Sequence, residues 1–573
     1  MKKMKKVLAL MLAVVMACGM LTACGGTEAG NSGSGEGGNS SKGEEITLEV
    51  YSQLANYSGE MKGWFAKILK DKWNVKINLI PESGGVYDTR MESGDLGDIV
   101  VWGADGEDYV NAVNAGLLFD WEEDDLVQDY GPYIYENMKD ALEKNREVSG
   151  TGKVYGFGHS VARSSESHDA FFYTWDLRWD LYSQLGYPEV RNMDDMMEVL
   201  EDMKEICPTD DNGKETYAMS LWPDWDGNYV MYVKSMATAY YGYDEMGFGH
   251  YNVTNGEYYD ALAEGSPYLE MLAWFNELYR RDLLDPDSMT QIYTDMIEKV
   301  QNGGVFFSIF NYAGSLAYNK EEHYAENKIM ESLVPSEANP IVYGLSTLGG
   351  NRVWSIGANT QYPEVCMEII NWLSTPEGRL TIDYGPKGLC WDYDENGKTY
   401  LTDFGKTCAE DRTTLMPDEW GGATFNDGSF QVNNITWAAA DTNPESGEPY
   451  DRTYWASEQV EGGRCATEAD WREKTGCVTV NEYMENTNYV VDVQTSFSEG
   501  SKSDALKTKW EQVATCLKEY SWRAIYAKDE AEFKKIVAEM RGKAMSYGYN
   551  ECIQWCKEEA ARKNALQEPL RQK

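Results

Sequence analysis

Histidine is scarce in this chain. Four occur in 573 residues, His159, His168, His250 and His323, and neither an HExxH nor a CxxC string is present. A zinc enzyme builds its site from such clusters, so that class is set aside. A cysteine pattern is lacking too. Of eleven cysteines, Cys18 and Cys24 lie near the N-terminus, and the other nine show no repeated close spacing. An odd number without pattern is a poor disulfide framework. Cys552 with Cys556, or Cys465 with Cys477, could bond; free buried thiols are the equal alternative. Basic residues are outnumbered, 51 Lys and Arg against 95 Asp and Glu, for a net charge of -44. Such a surface repels phosphate backbones, which excludes nucleic acid as a partner. It also disfavours anionic ligands outside a local basic pocket, whereas neutral sugars are compatible with it. No phosphate loop, no Ser-His-Asp pattern and no repeat of 20 to 50 residues is visible.

Aromatic residues are plentiful instead. They make up 13% of the chain, with 19 Trp and 39 Tyr, so the bulk of it folds. The N-terminus is a different kind of sequence. Lys2, Lys3, Lys5 and Lys6 precede an uncharged apolar run over 7–23. A basic start, an apolar stretch and small residues before a cut site form a secretory signal. The run ends in Leu21-Thr22-Ala23-Cys24-Gly25, which resembles the lipobox of bacterial lipoproteins. That resemblance implies a diacylated Cys24 as the new N-terminus, and two acyl chains hold a protein to a membrane stably. Residues 25–45 are almost wholly Gly, Ser, Asn and acid, a composition that forms a flexible tether and buries no core.

The next segments alternate in type. Residues 46–51 read as a strand, 61–72 as a helix with Trp64, Phe65, Ile68 and Leu69 on one face, 75–80 as a second strand, and 98–102 as a buried strand ending on Trp102. Strand, helix, strand, turn, strand opens an α/β sheet. Ligands in such sheets sit beyond the carboxyl ends of the strands, which makes Tyr51, Ser52 and Trp102 candidates. Further strands are expected at 152–157, 169–177 and 304–310. Helices are expected at 179–185, 194–206, 267–281 and 364–374, and from 503 to 564. About 530 residues beyond the tether are too many for one simple core, so two lobes are expected.

Several strings, in order, resemble the extracellular solute-binding proteins of ABC sugar importers, in particular the large lipoprotein type of Gram-positive bacteria (family 1). Gly94-Asp95-Leu96-Gly97-Asp98-Ile99 is similar to that family's Gly-Asp-Leu-Pro-Asp-Ile, with Gly97 in place of proline. Gly152-Lys153-Val154-Tyr155-Gly156 is similar to its Gly-Lys-x-Tyr-Gly strand. Leu177-Arg178-Trp179-Asp180-Leu181 with Leu185-Gly186-Tyr187-Pro188 resembles a further pair of its motifs. Trp372-Leu373-Ser374-Thr375-Pro376-Glu377-Gly378 and the loop from Tyr384 to Trp391 follow in the family's order. The resemblance covers roughly 45–400 and is looser beyond. It implies an α/β, two-lobed periplasmic-binding-protein-like fold (type II) with the ligand cleft between the lobes. It implies a non-enzymatic, monomeric receptor on the outer face of the cell membrane, which captures an oligosaccharide and hands it to an ABC permease. The expected partition is signal 1–23, anchor and linker 24–45, one lobe from 46–163 and 304–370, and the other from 164–303 and 371–573.

Sugars present apolar ring faces and hydroxyl edges, so their sites combine aromatic platforms with carboxylates and amides. The loop Leu221-Trp222-Pro223-Asp224-Trp225-Asp226-Gly227-Asn228-Tyr229 has that composition, and Trp222, Asp224, Trp225 and Asp226 are candidates. The resemblance adds Asn311 and Tyr312, at the end of a strand that reaches the cleft in the family. His159 and Arg178 are weaker candidates, each with an equal structural explanation. No cofactor is expected. Asp392, Asp394, Asn396 and Asp403 match the spacing of a calcium loop, but a hairpin turn explains the string better, since the twelfth residue is not Glu. The rival class is a secreted glycoside hydrolase, whose two carboxylates cannot be singled out among 95 acids. A peptide-binding protein is the remaining alternative.

Overall fold

The computed structural model describes residues 45–571. The signal, Cys24 and the tether lie outside the described residues. No helix among the described residues is long and apolar enough to cross a membrane.

The first strand, Ile46–Ser52, buries every residue from Val50 to Ser52. It pairs in parallel with Val75–Pro81 and with Ile99–Trp102. The helix between them, Gly63–Trp73, turns Trp64, Phe65, Ile68 and Leu69 inward, which is the face its periodicity predicts. Val353–Ile356 then adds antiparallel to Ile99–Trp102, and Gly156–Gly158 adds antiparallel to Val353–Ile356. Gly59–Glu60 closes the other edge, giving six strands. Gly156 and Gly158 are required there, because a Cβ at either would lie within 2.2 Å of a carbonyl oxygen of the adjacent segment, that of Trp354 or Gly350. The departure from the family motif at Gly97 has a backbone cause. Its φ is +99°, which proline's ring cannot reach.

A second, three-stranded antiparallel sheet runs in the order Phe307–Phe310, Tyr173–Arg178, Met330–Ser332. Around it pack the helices Met193–Ile206, Met231–Tyr241 and Pro267–Arg280, with the C-terminal helices Asp504–Ile525, Glu530–Ser546 and Tyr549–Arg571. Each sheet has its own apolar core. The first core draws on Leu48 to Val161 and on Trp354 to Trp455. The second draws on Phe171 to Val342 and on Trp471 to Ala560.

These memberships redraw the expected partition. The strand Phe307–Phe310 pairs with Tyr173–Arg178, so the chain from 304 to 342 belongs with the second core. Trp372, Trp391, Trp437 and Trp455 are buried in the first core, so 371–455 belongs there. The chain thus crosses between cores near 162–170, 343–352 and 456–470. Ala162, Leu345 and Ala438 pack together as a small separate cluster between the crossings. The amide of Ala162 donates to the Ser346 carbonyl and that of Ala438 to the Val161 carbonyl, both through backbone bonds that stitch adjacent segments together.

Candidate functional site

Two features could meet a ligand. The first is a cavity of about 690 Å³. Its wall on the first-core side comes from Ala104 to Glu107, just past the carboxyl end of Ile99–Trp102, with Lys144 and His159. Its other wall comes from Asp244 to Met246, Lys563 and Gln567, and the crossing residues Tyr343 to Ser346 line it as well. This is the position a ligand takes in an open α/β sheet, beyond the strand ends.

The cavity is lined by many charged groups, and its lysines are engaged. Lys563 Nζ lies 2.9 Å from an Asp244 oxygen and 3.0 Å from an Asp492 oxygen. Those two carboxylates hold its ammonium well above the usual range, against the opposing effect of burial. Gln567 Nε2 donates to the other Asp492 oxygen at 2.7 Å. Across the cavity, Lys144 donates to the Gly350 carbonyl at 2.7 Å and sits 3.5 Å from Asp105. Burial lowers the Lys144 pKa and raises that of Asp105, and their mutual attraction opposes both shifts. Ser498 Oγ donates to Asp105 at 2.8 Å, and Lys507 donates to Glu107 at 2.6 Å. These last two bonds join the first-core side to the first turn of the helix Asp504–Ile525 and to the segment that leads into it.

His159 lines the same cavity. Its Nδ1 accepts from the Arg352 amide at 3.2 Å, which assigns the ring proton to Nε2. Burial first, then the nearby Arg352 and Lys144 charges, lower its pKa to about 3. The ring is therefore a neutral donor at physiological pH.

The second feature is an aromatic face on the second core. Trp225 is 49% exposed and stacks on Tyr293, with ring centroids 4.4 Å apart. Tyr312 lies 6.0 Å from Trp225 and 5.6 Å from Phe172, which is 42% exposed. Trp222 forms the underside, edge-on to Trp225, Tyr293 and Tyr312. Single exposed apolar residues are ordinary, but a contiguous set of rings open to solvent marks a binding surface. Tyr312 is carried there by the strand Phe307–Phe310, and Phe172 immediately precedes the strand Tyr173–Arg178.

The residues singled out in the sequence therefore divide. Trp225 and Tyr312 come together on the open face. Asp224 is beside them, accepting weakly from the Tyr293 amide. Asn311 begins the short turn that carries Tyr312. His159 is in the cavity. The others are structural. Tyr51 is fully buried and donates to Glu82 at 2.5 Å. Ser52 is buried and donates to the Val432 carbonyl. Trp102 is fully buried, with its indole N–H on Ser355 and edge contacts to Tyr87 and Tyr109. All three lie at the strand ends as expected, but their side chains fill the sheet's own packing. Arg178 is buried in a bidentate pair with Asp180, both bonds 2.7 Å, under the Tyr318 ring. Trp222 is 1% exposed. Asp226 turns away from the face. It accepts from the Met231 amide and from the Trp522 indole at 2.7 Å, and burial raises its pKa to about 6.

Sequence reasoning missed Tyr293 and Phe172, which carry no motif and are joined to Trp225 only by the fold.

The calcium-spaced string folds as a hairpin, Trp391–Tyr393 against Thr399–Leu401. Asp394 accepts from the amides of Asn396 and Lys398, as a turn residue does. Asp403 opens the following helix, behind the Thr402 cap. Asp210 makes the same kind of turn through the amides of Asn212 and Lys214. Among the described residues no group of three or more His, Cys, Asp and Glu is placed to hold a metal ion. The nine cysteines of the described residues are free, Cys465, Cys477, Cys552 and Cys556 included.

Two cores, three crossings and a cleft lined from both sides define a two-lobed α/β fold. The chain shares this fold with extracellular solute-binding proteins of transporters. An extracellular solute-binding protein from Bifidobacterium longum subsp. infantis superposes with a TM-score of 0.58, over 91% of this chain and 98% of that one, at 14% identity. The N-glycan transport solute-binding protein NgtS from Streptococcus pneumoniae superposes at 0.53, over 90% and 98%, at 15% identity. In sequence, the chain is 26% identical over 345 residues to Lipoprotein LipO of Bacillus subtilis (strain 168). That alignment covers 59% of this chain and 62% of LipO, so the match spans less than two thirds of that relative. No protein-family model matches the chain. The structural neighbours are binding proteins and not enzymes.

Proposed function

We propose that this chain is the substrate-binding subunit of an ABC importer, held to the outer face of the membrane through a lipid on Cys24, and that it captures a neutral oligosaccharide. The observation that carries the reading is the open aromatic face of Trp225, Tyr293, Tyr312 and Phe172 on a two-lobed binding-protein fold. Stacked rings of this kind match the apolar faces of pyranoses. A cavity lined by seven carboxylates and four lysines supports neutral over anionic sugars. The relative named as a lipoprotein and the neighbour named for N-glycan transport support the anchor and the sugar class. Cys24 would tether a monomer that closes on its sugar and presents the closed form to the permease.

Isothermal titration against neutral tetrasaccharides built from glucose, mannose or fructose, and against uronate oligomers of equal length, tests this. One-to-one binding of a neutral member, with no reducing ends released over hours, is expected. Trp225→Ala and Tyr312→Ala should each weaken that binding about tenfold, the size of one lost aromatic contact of roughly 1.4 kcal/mol. Accumulating product, or equal binding by the uronate series, would overturn the reading.

A further inference from the structure

The loop that carries Trp225 has little structure of its own. Between Leu221 and Tyr229 there is no helix and no strand, and one internal backbone bond, Asp226 to Pro223, makes its turn. Its fixed points are side-chain bonds to other parts of the chain. At its start, the Leu221 carbonyl accepts from Gln291, and its amide donates to Ser288. Past Trp225, two acceptors on the loop meet two indoles of one helix. Trp522 Nε1 donates to Asp226 at 2.7 Å, and Trp510 Nε1 donates to Asn228 at 2.8 Å. Both tryptophans belong to Asp504–Ile525 and stand about three turns apart.

The two indoles are themselves held. Trp510 packs on Phe248, centroids 4.3 Å apart, and edge-on against Trp555 of the C-terminal helix. Lys502 lies over both the Trp510 and Trp555 rings. Trp522 is buried in the second core. Asn228 also donates to the Gly247 carbonyl, and a Cβ at Gly247 would strike the Trp510 ring at 2.8 Å. The junction is thus fitted around the indole, and a side chain on Gly247 would displace it.

An indole N–H can only donate, and a carboxylate or amide oxygen can only accept. Each bond therefore fixes the direction of a loop side chain as well as its distance. We propose that Trp510 and Trp522 are positioning residues, through which the C-terminal helical region sets the placement of Trp225 on the sugar face. This assigns a role to a part of the chain for which the sequence supplies none. It rests on the reading that Trp225 contacts sugar, and part of its test does not.

That part is hydrogen–deuterium exchange on the ligand-free protein. In Trp522→Phe and Trp510→Phe the rings stay and the donors go. Amides over 224–230 should exchange at least tenfold faster in each, while those of the helix Pro267–Arg280 keep their protection. Asp226→Ala and Asn228→Ala remove the acceptors from the loop side, without touching a core ring, and should do the same. Unchanged exchange over 224–230 in all four variants overturns the proposal. Affinity for the neutral tetrasaccharides gives the second readout. Trp522→Phe should weaken binding about fivefold in the wild-type background and not at all in Trp225→Ala. An equal loss in both backgrounds would show a general structural role and overturn positioning. If Trp225→Ala costs nothing by itself, the sugar reading of the loop fails, and the exchange result still decides whether the indoles hold it.

Discussion

At the scale of single residues, type and environment separate. Trp222 and Trp225 stand three residues apart in one loop, yet one is buried beneath the face and the other is half exposed above it. Composition pointed to the loop; only packing assigns which ring is open. His159 shows the same division between identity and setting. Its ring has a pKa lowered to about 3, so the folded protein does not take up the proton that the unfolded chain binds near 6.5. Between those values the unfolded state holds more protons, and stability falls as pH falls. His250, buried and lowered to about 4, contributes in the same direction. Thermal unfolding followed from pH 7 to pH 4 should show the midpoint dropping, with a shallower slope in His159→Gln. An identical slope in the variant would contradict the assignment. Tyr51, Ser52 and Trp102 are legible as residues at strand ends, but their side-chain partners are not. The sequence shows where a strand stops. It does not show that Glu82, Val432 and Ser355 arrive to occupy those side chains.

Elements were easier to read than residues. The helices Gly63–Trp73, Met193–Ile206 and Pro363–Ser374 stand within a residue or two of their expected bounds. Each has a clear apolar stripe, and periodicity is a local property. The strand Gly156–Gly158 is shorter than expected, because what sets its length is its partner nearly 200 residues later. Gly97 is the sharpest local case. Its φ is +99°, its amide donates to Asp95 at 3.0 Å, and a Cβ would lie 3.0 Å from the Glu49 carbonyl. Restoring the family's proline would violate all three. Gly97→Pro should destabilise the protein by about 2 kcal/mol or more, read as a lower denaturant midpoint with an unchanged slope. A variant as stable as the parent would mean that the turn adopts another conformation without cost.

For the whole molecule, the two-lobed class was legible from ordered motifs and length, and the partition between lobes was not. Strand pairing across more than a hundred residues has no local signature, and Phe307–Phe310 meets Tyr173–Arg178 only through the fold. The same long-range contacts set how the lobes meet. Lys507 to Glu107 and Ser498 to Asp105 join the first core to the start of the C-terminal helices. Removing both, as Glu107→Gln with Ser498→Ala, should open the sugar-free protein. Small-angle scattering would show a larger radius of gyration, with the difference shrinking at high salt, where the exposed ion pair is already weak. Equal radii at low salt would mean that the crossings alone hold the two halves.

The interleaving of the cores also bears on how the chain is made. Val353–Ile356 sits between Ile99–Trp102 and Gly156–Gly158, so the first sheet stays split until well over three hundred residues have been synthesised. The second core waits longer, for Trp471 to Ala560. Neither half can finish on its own while the rest is still being made, and sheets built from such distant partners close slowly. For much of its synthesis this protein is an open chain with apolar strands unpaired, in the state where holding factors matter most.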